Sequence, residues 1–246
     1  LKKVVSTNKS KDFLPDQFYQ NFDKYYSKIF IDKLNQLISK NKFDIIQIEF
    51  FPYINLCHAL PSESIKIFVH HEIRWQMFQR NYDRLNFKNN YSDYVVKNVK
   101  YLEEAQLNNY NAIITFSKND CDLIAENTRK PIFVSPFPIP DTDFRKIEAL
   151  SNIKKLVFIG GETNVPNIHA LKWYKEHLMS KIFDTFQLEL LVIGNWSEKN
   201  RKLLQVENKI TFLGFVDDLY SAMKDTILIV PLKVGSGIRA KILQAM

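Results

Sequence analysis

The chain has 246 residues, 46% of them hydrophobic, and this composition predicts a globular protein of one or two domains. Two cysteines, Cys57 and Cys121, are too few for a disulfide framework or a zinc site, and they fit small buried side chains in a reducing compartment. The net charge of +7 is spread over both halves of the chain, without the dense Lys/Arg block of a nucleic-acid groove.

The first half of the chain alternates short apolar runs with amphipathic segments. We predict buried parallel strands over residues 43–50, 65–70, 112–117 and 131–135, because these runs are rich in Ile, Val and Phe. We predict helices over residues 15–40 and 91–108, and a further helix capped by Ser117. The apolar stripe of the first helix indicates packing on the sheet, and contact with a membrane surface is the alternative.

The second half repeats the alternation. We predict strands over residues 155–161, 188–194, 210–214 and 227–232, and a helix over residues 167–180 with Pro166 at its start. Strand–helix alternation predicts an α/β protein with two doubly wound, Rossmann-like domains built on parallel sheets.

A polar stretch with two prolines interrupts the alternation and marks a domain boundary. We place a first domain at residues 1–140, a linker at residues 141–152 and a second domain at residues 153–246. Because Leu1 is not a natural start and the last residues carry no stop signal, we expect a piece of a longer protein. The first domain would then lack its opening strands, and the second would be truncated.

All the glycines of the chain lie beyond residue 159, each at or just past the end of a predicted strand. They are Gly160, Gly161, Gly194, Gly214, Gly235 and Gly237. Ligands of open parallel sheets bind at the carboxyl ends of the strands, where glycine lets the backbone approach them closely. This distribution therefore predicts a ligand site in the second domain.

The last strand is followed by the stretch VGSG and by a predicted helix that carries Arg239 and Lys241. Free backbone N–H groups and the positive end of a helix dipole bind phosphate or diphosphate, and the two cations add full charge. The chain has neither a P-loop nor a dinucleotide-binding glycine pattern. We therefore predict a phosphate or diphosphate site of another kind.

These blocks are similar to the family 4 glycosyltransferases of the GT-B class. The similar stretches are DIIQIEF, HHEI, ITFSKND, FIGGETNVPNIHALKWY, LLVIGN, ITFLGFVDDL and VPLKVGSGIRAKILQAM. The resemblance implies two Rossmann-like domains facing a cleft. The second would bind a nucleotide-diphosphate-sugar donor as co-substrate, and the first would bind the acceptor. It also implies transfer with retention of configuration, without a metal or another cofactor.

The resemblance also implies roles for single residues of the second domain. Gly235, Ser236 and Gly237 would hold the donor diphosphate, and Arg239 and Lys241 would neutralise it as it leaves. The remaining donor contacts implied are Gly160 and Gly161 in the facing loop, Phe215 and Val216 near the nucleotide base, and Gln244 near the ribose. The family carries glutamates at the positions of Ser236 and Gln244. A glutamine accepts a hydrogen bond through its carbonyl but carries no charge.

In the first domain, the resemblance implies that His70 or His71 lies near the transferring sugar. The two histidines are adjacent and point to opposite faces of a strand, which argues against one metal ion bound by both. A plain structural role is the alternative.

We therefore expect a glycosyltransferase acting on a saccharide or lipid-linked acceptor in cell-surface polysaccharide or glycoconjugate synthesis. The expected location is the cytoplasm or the inner face of the membrane, and no nucleic-acid partner is expected. Two alternatives stay open: a non-catalytic nucleotide-sugar or saccharide-binding protein, and a nucleotide-sugar epimerase of the same fold. The epimerase would need further acid/base carboxylates, which the sequence does not reveal.

Overall fold

The computed structural model describes residues 27–139, 153–233 and 237–245. The chain divides into two compact units, Leu1–Pro136 and Phe137–Met246. Each unit has a four-stranded sheet whose strands are all parallel. The predicted α/β class is confirmed. The predicted linker, residues 141–152, lies outside the described residues.

All four strands predicted for the first unit are present, in the sheet order β1–β2–β3–β4. The predicted burial is wrong for β4, which lies at the edge of the sheet with the side chains of Phe133 and Val134 exposed. The strands are β1 (Ile45–Glu49), β2 (Ile65–His70), β3 (Ala112–Thr115) and β4 (Ile132–Val134). The helices are α1 (Lys28–Lys40), α2 (Arg74–Arg84), α3 (Asn90–Leu107) and α4 (Lys118–Ala125), with a 3₁₀ segment at Phe51–Ala59. The predicted cap of α4 is confirmed, because the Ser117 hydroxyl accepts a hydrogen bond from Asp120 N at 3.1 Å.

The core of the first unit lies between the sheet and its covering helices. Phe68 and Ile113 on neighbouring strands are fully buried, and so is Tyr110, whose hydroxyl donates to Ile54 O at 2.6 Å. On α1, the side chains of Phe30, Ile31 and Leu34 pack against this core. The packing interpretation of the stripe therefore holds for Phe30 and Leu34, whereas Ile29 and Leu37 of the same stripe are exposed. Residues 15–26 lie outside the described residues.

The second unit also contains every strand predicted for it, in the order β7–β6–β5–β8. The strands are β5 (Lys155–Ile159), β6 (Glu189–Ile193), β7 (Ile210–Gly214) and β8 (Thr226–Leu228). The helices are α5 (Val165–His177), α6 (Met179–Phe186), α7 (Glu198–Leu204), α8 (Leu219–Met223) and α9 (Ala240–Ala245). The single helix predicted over residues 167–180 is two helices, α5 and α6.

The strand order places a switch point between β5 and β8. The chain steps outwards from β5 through β6 to β7 and then returns to the other side of β5 as β8. Loops leaving two such strands diverge to opposite faces of the sheet and leave a crevice at its carboxyl edge. Both faces of this sheet are packed: Leu156 and Phe158 belong to one buried cluster, and Val157, Leu191 and Ile193 belong to another.

No helix in the described part of the chain is both long enough and apolar enough to cross a membrane. Both cysteines are free thiols; Cys57 is buried as expected, whereas Cys121 is only partly buried. Burial raises the pKa of the Cys57 thiol.

Candidate functional site

The loops that follow β5 and β6 approach each other closely at two glycines, and we call this close approach the glycine crossing. Gly160 has φ +147° and Gly194 has φ +136°, in the region that favours glycine. A Cβ at Gly194 would lie 2.7 Å from the carbonyl carbon of Gly160, and a Cβ at Gly160 would lie 2.5 Å from Asn167 Nδ2. Only glycine fits this crossing, which brings the two strand ends together at the carboxyl edge of the sheet.

Two buried side chains hold the Gly160–Gly161 backbone. Asn167 Nδ2 donates to Gly161 O at 2.8 Å, and Trp196 Nε1 donates to Gly160 O at 2.9 Å. The two side chains satisfy carbonyls that the tight crossing removes from regular strand pairing. Asn167 carries no sequence signal beyond its place in the first turn of α5. Trp196 also packs edge-on against Phe212.

Glu162 ties the same loop to the start of α7. Its backbone N–H donates to Asn195 O at 3.1 Å. Its carboxylate accepts from Asn200 Nδ2 at 2.6 Å and from Ser197 Oγ at 2.8 Å. These bonds, the one from Asn200 first, hold the pKa of the Glu162 carboxyl below its usual value.

Lys241 brings α9 against the end of β5. Its ammonium donates to Ile159 O and, at 3.3 Å, to Asn167 Oδ1, and it lies 4.8 Å from the centre of the Phe158 ring. Burial and then the charge of Arg239 lower the pKa of Lys241 to about 8. A cation therefore sits at the switch point, next to the glycine loop that follows β5.

Arg239 lies one residue before α9. Its Nη1 donates to Gly237 O at 3.1 Å, and Gly237 adopts φ +74°. The charge of Arg239 contributes, after burial, to the lowered pKa of Lys241. Gly235 and Ser236 lie outside the described residues, as does the side chain of Gln244.

The remaining predicted donor residues follow β7. The Phe215 side chain is 74% exposed, and Val216 packs against the cluster of Val157, Leu191 and Ile193. An exposed ring at the carboxyl edge of the sheet is compatible with stacking on a base, whereas Val216 contributes to the core. The donor roles of both residues stay predictions.

Residues 153–246 match the family model described as Glycosyl transferases group 1. The matched segment contains the glycine crossing, the switch point and both cations. The second unit is therefore similar to the group 1 glycosyl transferases over these residues. Among curated protein sequences, none matches this chain.

Solved structures are similar in fold to both units of the chain. A sucrose-phosphate synthase from Thermosynechococcus elongatus matches with a TM-score of 0.63 and 14% identity, over 95% of this chain and 60% of its own. A structure described as trehalose-6-phosphate from E. coli bound with UDP-2-fluoro glucose matches with a TM-score of 0.53 and 14% identity, over 90% of this chain and 58% of its own.

A trehalose-6-phosphate synthase described in connection with glycosyl transfer with retention matches with a TM-score of 0.56 and 14% identity, over 92% of this chain and 60% of its own. The chain thus spans about 60% of the length of these structures. The expected GT-B fold class is confirmed.

The two predicted histidines of the first unit have different environments. His70 is 1% exposed, and its Nε2 lies 2.9 Å from Glu103 Oε1, without the alignment of a hydrogen bond. The Glu103 carboxylate also accepts from the backbone N–H groups of Arg74 and Trp75, at 3.0 and 3.3 Å, and so caps α2.

His71 follows β2 and contacts a different carboxylate from the one beside His70. Its side chain is 23% exposed, and its Nε2 lies 3.0 Å from Glu49 Oε2. Of the two histidines, His71 is the one that a ligand reaches without rearrangement. Within the described ranges, no group of three or more His, Cys, Asp or Glu side chains is placed to hold a metal ion.

Proposed function

We propose that this protein transfers a sugar from a nucleotide-diphosphate-sugar donor to a saccharide or lipid-linked acceptor, with retention of configuration. The observation that carries the proposal is the Lys241 ammonium at the end of β5, beside the switch point of a unit that matches the group 1 glycosyl transferases. Arg239 lies two residues before it in the chain. Structures of similar fold include one bound with UDP-2-fluoro glucose, which supports a UDP-sugar as donor. The synthase described with retaining transfer supports retention.

In the proposed reaction, negative charge develops on the leaving diphosphate, which is expected to lie next to Arg239 and Lys241. When the bond between the sugar and the diphosphate breaks, the electron pair stays on the diphosphate oxygen, which becomes more negative. Arg239 and Lys241 stabilise this charge by electrostatic attraction. Loss of either cation should remove about 2–4 kcal/mol of transition-state stabilisation, as for other preorganised donors. The proposal assigns this role to the protein and not to a metal ion.

The test uses Arg239→Ala and Lys241→Ala in the full chain, with Lys202→Ala as the matched control. Lys202 is an exposed lysine of the same unit, paired with Glu198 at 2.6 Å. UDP affinity is measured by calorimetry, and UDP release is measured with UDP-glucose and UDP-N-acetylglucosamine. Both site variants should lose turnover while Lys202→Ala keeps it. Wild-type turnover in both site variants would refute the assignment.

The same assays separate the alternatives. Tight UDP-sugar binding without donor hydrolysis or transfer would identify a binding protein. A UDP-sugar product with inverted ring stereochemistry would identify an epimerase.

The setting of the reaction is also a proposal. We place the protein in the cytoplasm, at the inner face of the membrane where the acceptor is lipid-linked, in cell-surface polysaccharide or glycoconjugate synthesis. The two unpaired thiols support a reducing compartment.

A further inference from the structure

Asn167 lies where three elements of the second unit meet. It belongs to the first turn of α5, it is 3% exposed, and its amide contacts both the loop after β5 and Lys241 of α9. A Cβ at Gly160 would lie 2.5 Å from Asn167 Nδ2, so the amide packs directly against the glycine crossing. Asparagine is a weak helix former, and a buried amide is costly unless it is hydrogen-bonded. The contacts of Asn167, and not local propensity, therefore explain this residue.

The chemistry of the two partners fixes the orientation of the amide. The Lys241 ammonium can only donate, and it lies 3.3 Å from Asn167 Oδ1. The Gly161 carbonyl can only accept, and it lies 2.8 Å from Asn167 Nδ2. Turning the amide over would place donor against donor and acceptor against acceptor. Asn167 therefore links Lys241 to the glycine loop in one orientation.

An amide and a carboxylate would affect Lys241 differently. The amide oxygen accepts a hydrogen bond from the ammonium but carries no charge, so the positive charge stays available to a ligand. A carboxylate at the same place would form an ion pair with Lys241 and compensate that charge. The contacts that Lys241 makes with β5 are neutral as well, because they are the Ile159 carbonyl and the Phe158 ring.

We propose that Asn167 is a positioning residue for diphosphate binding, which holds the Lys241 ammonium beside the glycine loop and leaves its positive charge uncompensated. This inference rests on the proposed glycosyl transfer, in which Lys241 meets the donor diphosphate. The charged group that acts on Lys241 is Arg239. Glu162, the acid in the loop after β5, is bonded to the start of α7 instead.

The first test is an NMR titration of isotope-labelled lysine side chains in the full chain, with the Lys241 signal assigned by its loss in Lys241→Arg. Asn167→Asp keeps the size of the side chain and adds a negative charge. The titration midpoint of Lys241 should therefore move upward from about pH 8 by about one pH unit or more. Asn200→Asp is the matched control, because Asn200 is bonded to Glu162 in the same unit, and it should move the midpoint much less.

The second test measures UDP affinity by calorimetry at about pH 7 and about pH 9, on either side of the Lys241 titration. In Asn167→Asp, the affinity at the lower pH should already be about tenfold weaker, because the carboxylate compensates the ammonium. The further fall towards the higher pH should be small, since Lys241 keeps its proton. A residue that served folding alone would change stability without changing this pH dependence.

Two further variants separate support of the loop from positioning of the ammonium. Trp196→Phe removes the hydrogen bond to Gly160 O, so it should lower the urea midpoint of unfolding and leave the Lys241 titration unchanged. Asn167→Ala removes the acceptor of the ammonium, so it should move the Lys241 midpoint downward, opposite to Asn167→Asp. This variant also tests the proposal where the Asp variant does not fold.

The Lys241 titration needs no UDP, which keeps the two proposals apart. The inference about Asn167 is overturned if Lys241 titrates in both Asn167 variants as in the wild type, or if UDP affinity in Asn167→Asp keeps the wild-type pH dependence. Shifted titrations in a chain that neither binds nor turns over UDP-sugars would support the positioning of Lys241 by Asn167 and contradict the proposed glycosyl transfer. Turnover of UDP-glucose with a Lys241 titration that is independent of residue 167 would do the reverse.

Discussion

At the scale of single residues, the close contact at the glycine crossing predicts that a larger side chain at Gly194 destabilises the fold. Gly194→Ala places a Cβ 2.7 Å from the carbonyl carbon of Gly160, on a backbone with φ +136°. Overpacking adds to the backbone strain, so the free energy of unfolding should fall by about 2–5 kcal/mol. Urea denaturation followed by circular dichroism measures the loss.

Gly214→Ala is the matched control for that substitution. Gly214 also has positive φ, at +80°, but its added Cβ meets only the end of the Arg201 side chain, at 3.5 Å. Backbone strain alone should cost about 1–2 kcal/mol there. Equal losses in the two variants would show that the close approach of the two loops contributes nothing.

The lowered pKa of Lys241 predicts how folding stability and diphosphate binding depend on pH. Its pKa of about 8 in the folded chain lies below the value of the unfolded chain, so its ammonium loses the proton as pH rises from about 7 to about 9. In this window the folded chain holds fewer protons than the unfolded chain, and the lysine's contribution to folding stability rises with pH. The attraction for a diphosphate changes in the opposite direction, because the site loses a positive charge.

UDP affinity should therefore fall several-fold between about pH 7 and about pH 9 in the wild type, and much less in Lys241→Arg, whose guanidinium stays charged. Calorimetric titrations at both pH values measure the difference. Equal pH slopes in the two proteins would mean that Lys241 does not meet the diphosphate.

At the scale of elements, Glu103 joins three parts of the first unit. Its buried carboxylate caps α2 through Arg74 N and Trp75 N and lies 2.9 Å from His70 at the end of β2. Glu103→Gln keeps the size and removes the charge that faces the helix N-terminus and the imidazole. The free energy of unfolding should fall by about 2 kcal/mol.

Glu104→Gln is the neighbouring control for that prediction. Glu104 lies on the surface of α3, 3.6 Å from Lys100 and bonded to Asn127 Nδ2 at 2.7 Å. Partly exposed pairs contribute less, so the loss should stay below about 1 kcal/mol. The capping role of Glu103 is contradicted if Glu104→Gln costs as much as Glu103→Gln in urea denaturation.

The elements that the sequence predicts well are those with local signals. Every predicted strand is present, because buried parallel strands need continuous Ile, Val and Phe runs. Helix α2 is not among the predicted elements, since its N-terminal cap comes from Glu103, 29 residues away from Arg74. The break between α5 and α6 at Leu178 has neither proline nor glycine to mark it.

The same limit applies to the candidate site. Glycines and cations stand out in the sequence, so Gly160 and Lys241 are predictable from it. Trp196 and Asn167 gain their roles only when folding brings them to the Gly160–Gly161 loop, and Trp196 lies 36 residues from its partner. The backbone strain at Phe50, which has φ +68°, also cannot be predicted from the sequence. This angle depends on how the following 3₁₀ segment packs in the core.

At the scale of the whole molecule, each unit has hydrophobic clusters of its own. Phe68, Ile113 and Tyr110 belong to the first unit, whereas Phe158 and Tyr174 belong to the second. The two units can therefore respond differently to a ligand that binds only one of them. The family match covers residues 153–246, which lie in the second unit. Glu49, Phe50, His71 and Phe116, where three strands end, belong to the first unit.

This division predicts where UDP protects the chain from hydrogen exchange. At a UDP concentration of about 100 times the dissociation constant, a ligand that binds only the folded second unit stabilises that unit by about 2.7 kcal/mol. Amides of β5, β6 and β7 that exchange by unfolding of the unit should slow about 100-fold, while amides of β1, β2 and β3 keep their rates. Mass spectrometry of peptides from both sheets measures the two effects in one sample. Protection of the first sheet without protection of the second would contradict a donor site at the β5–β8 switch point.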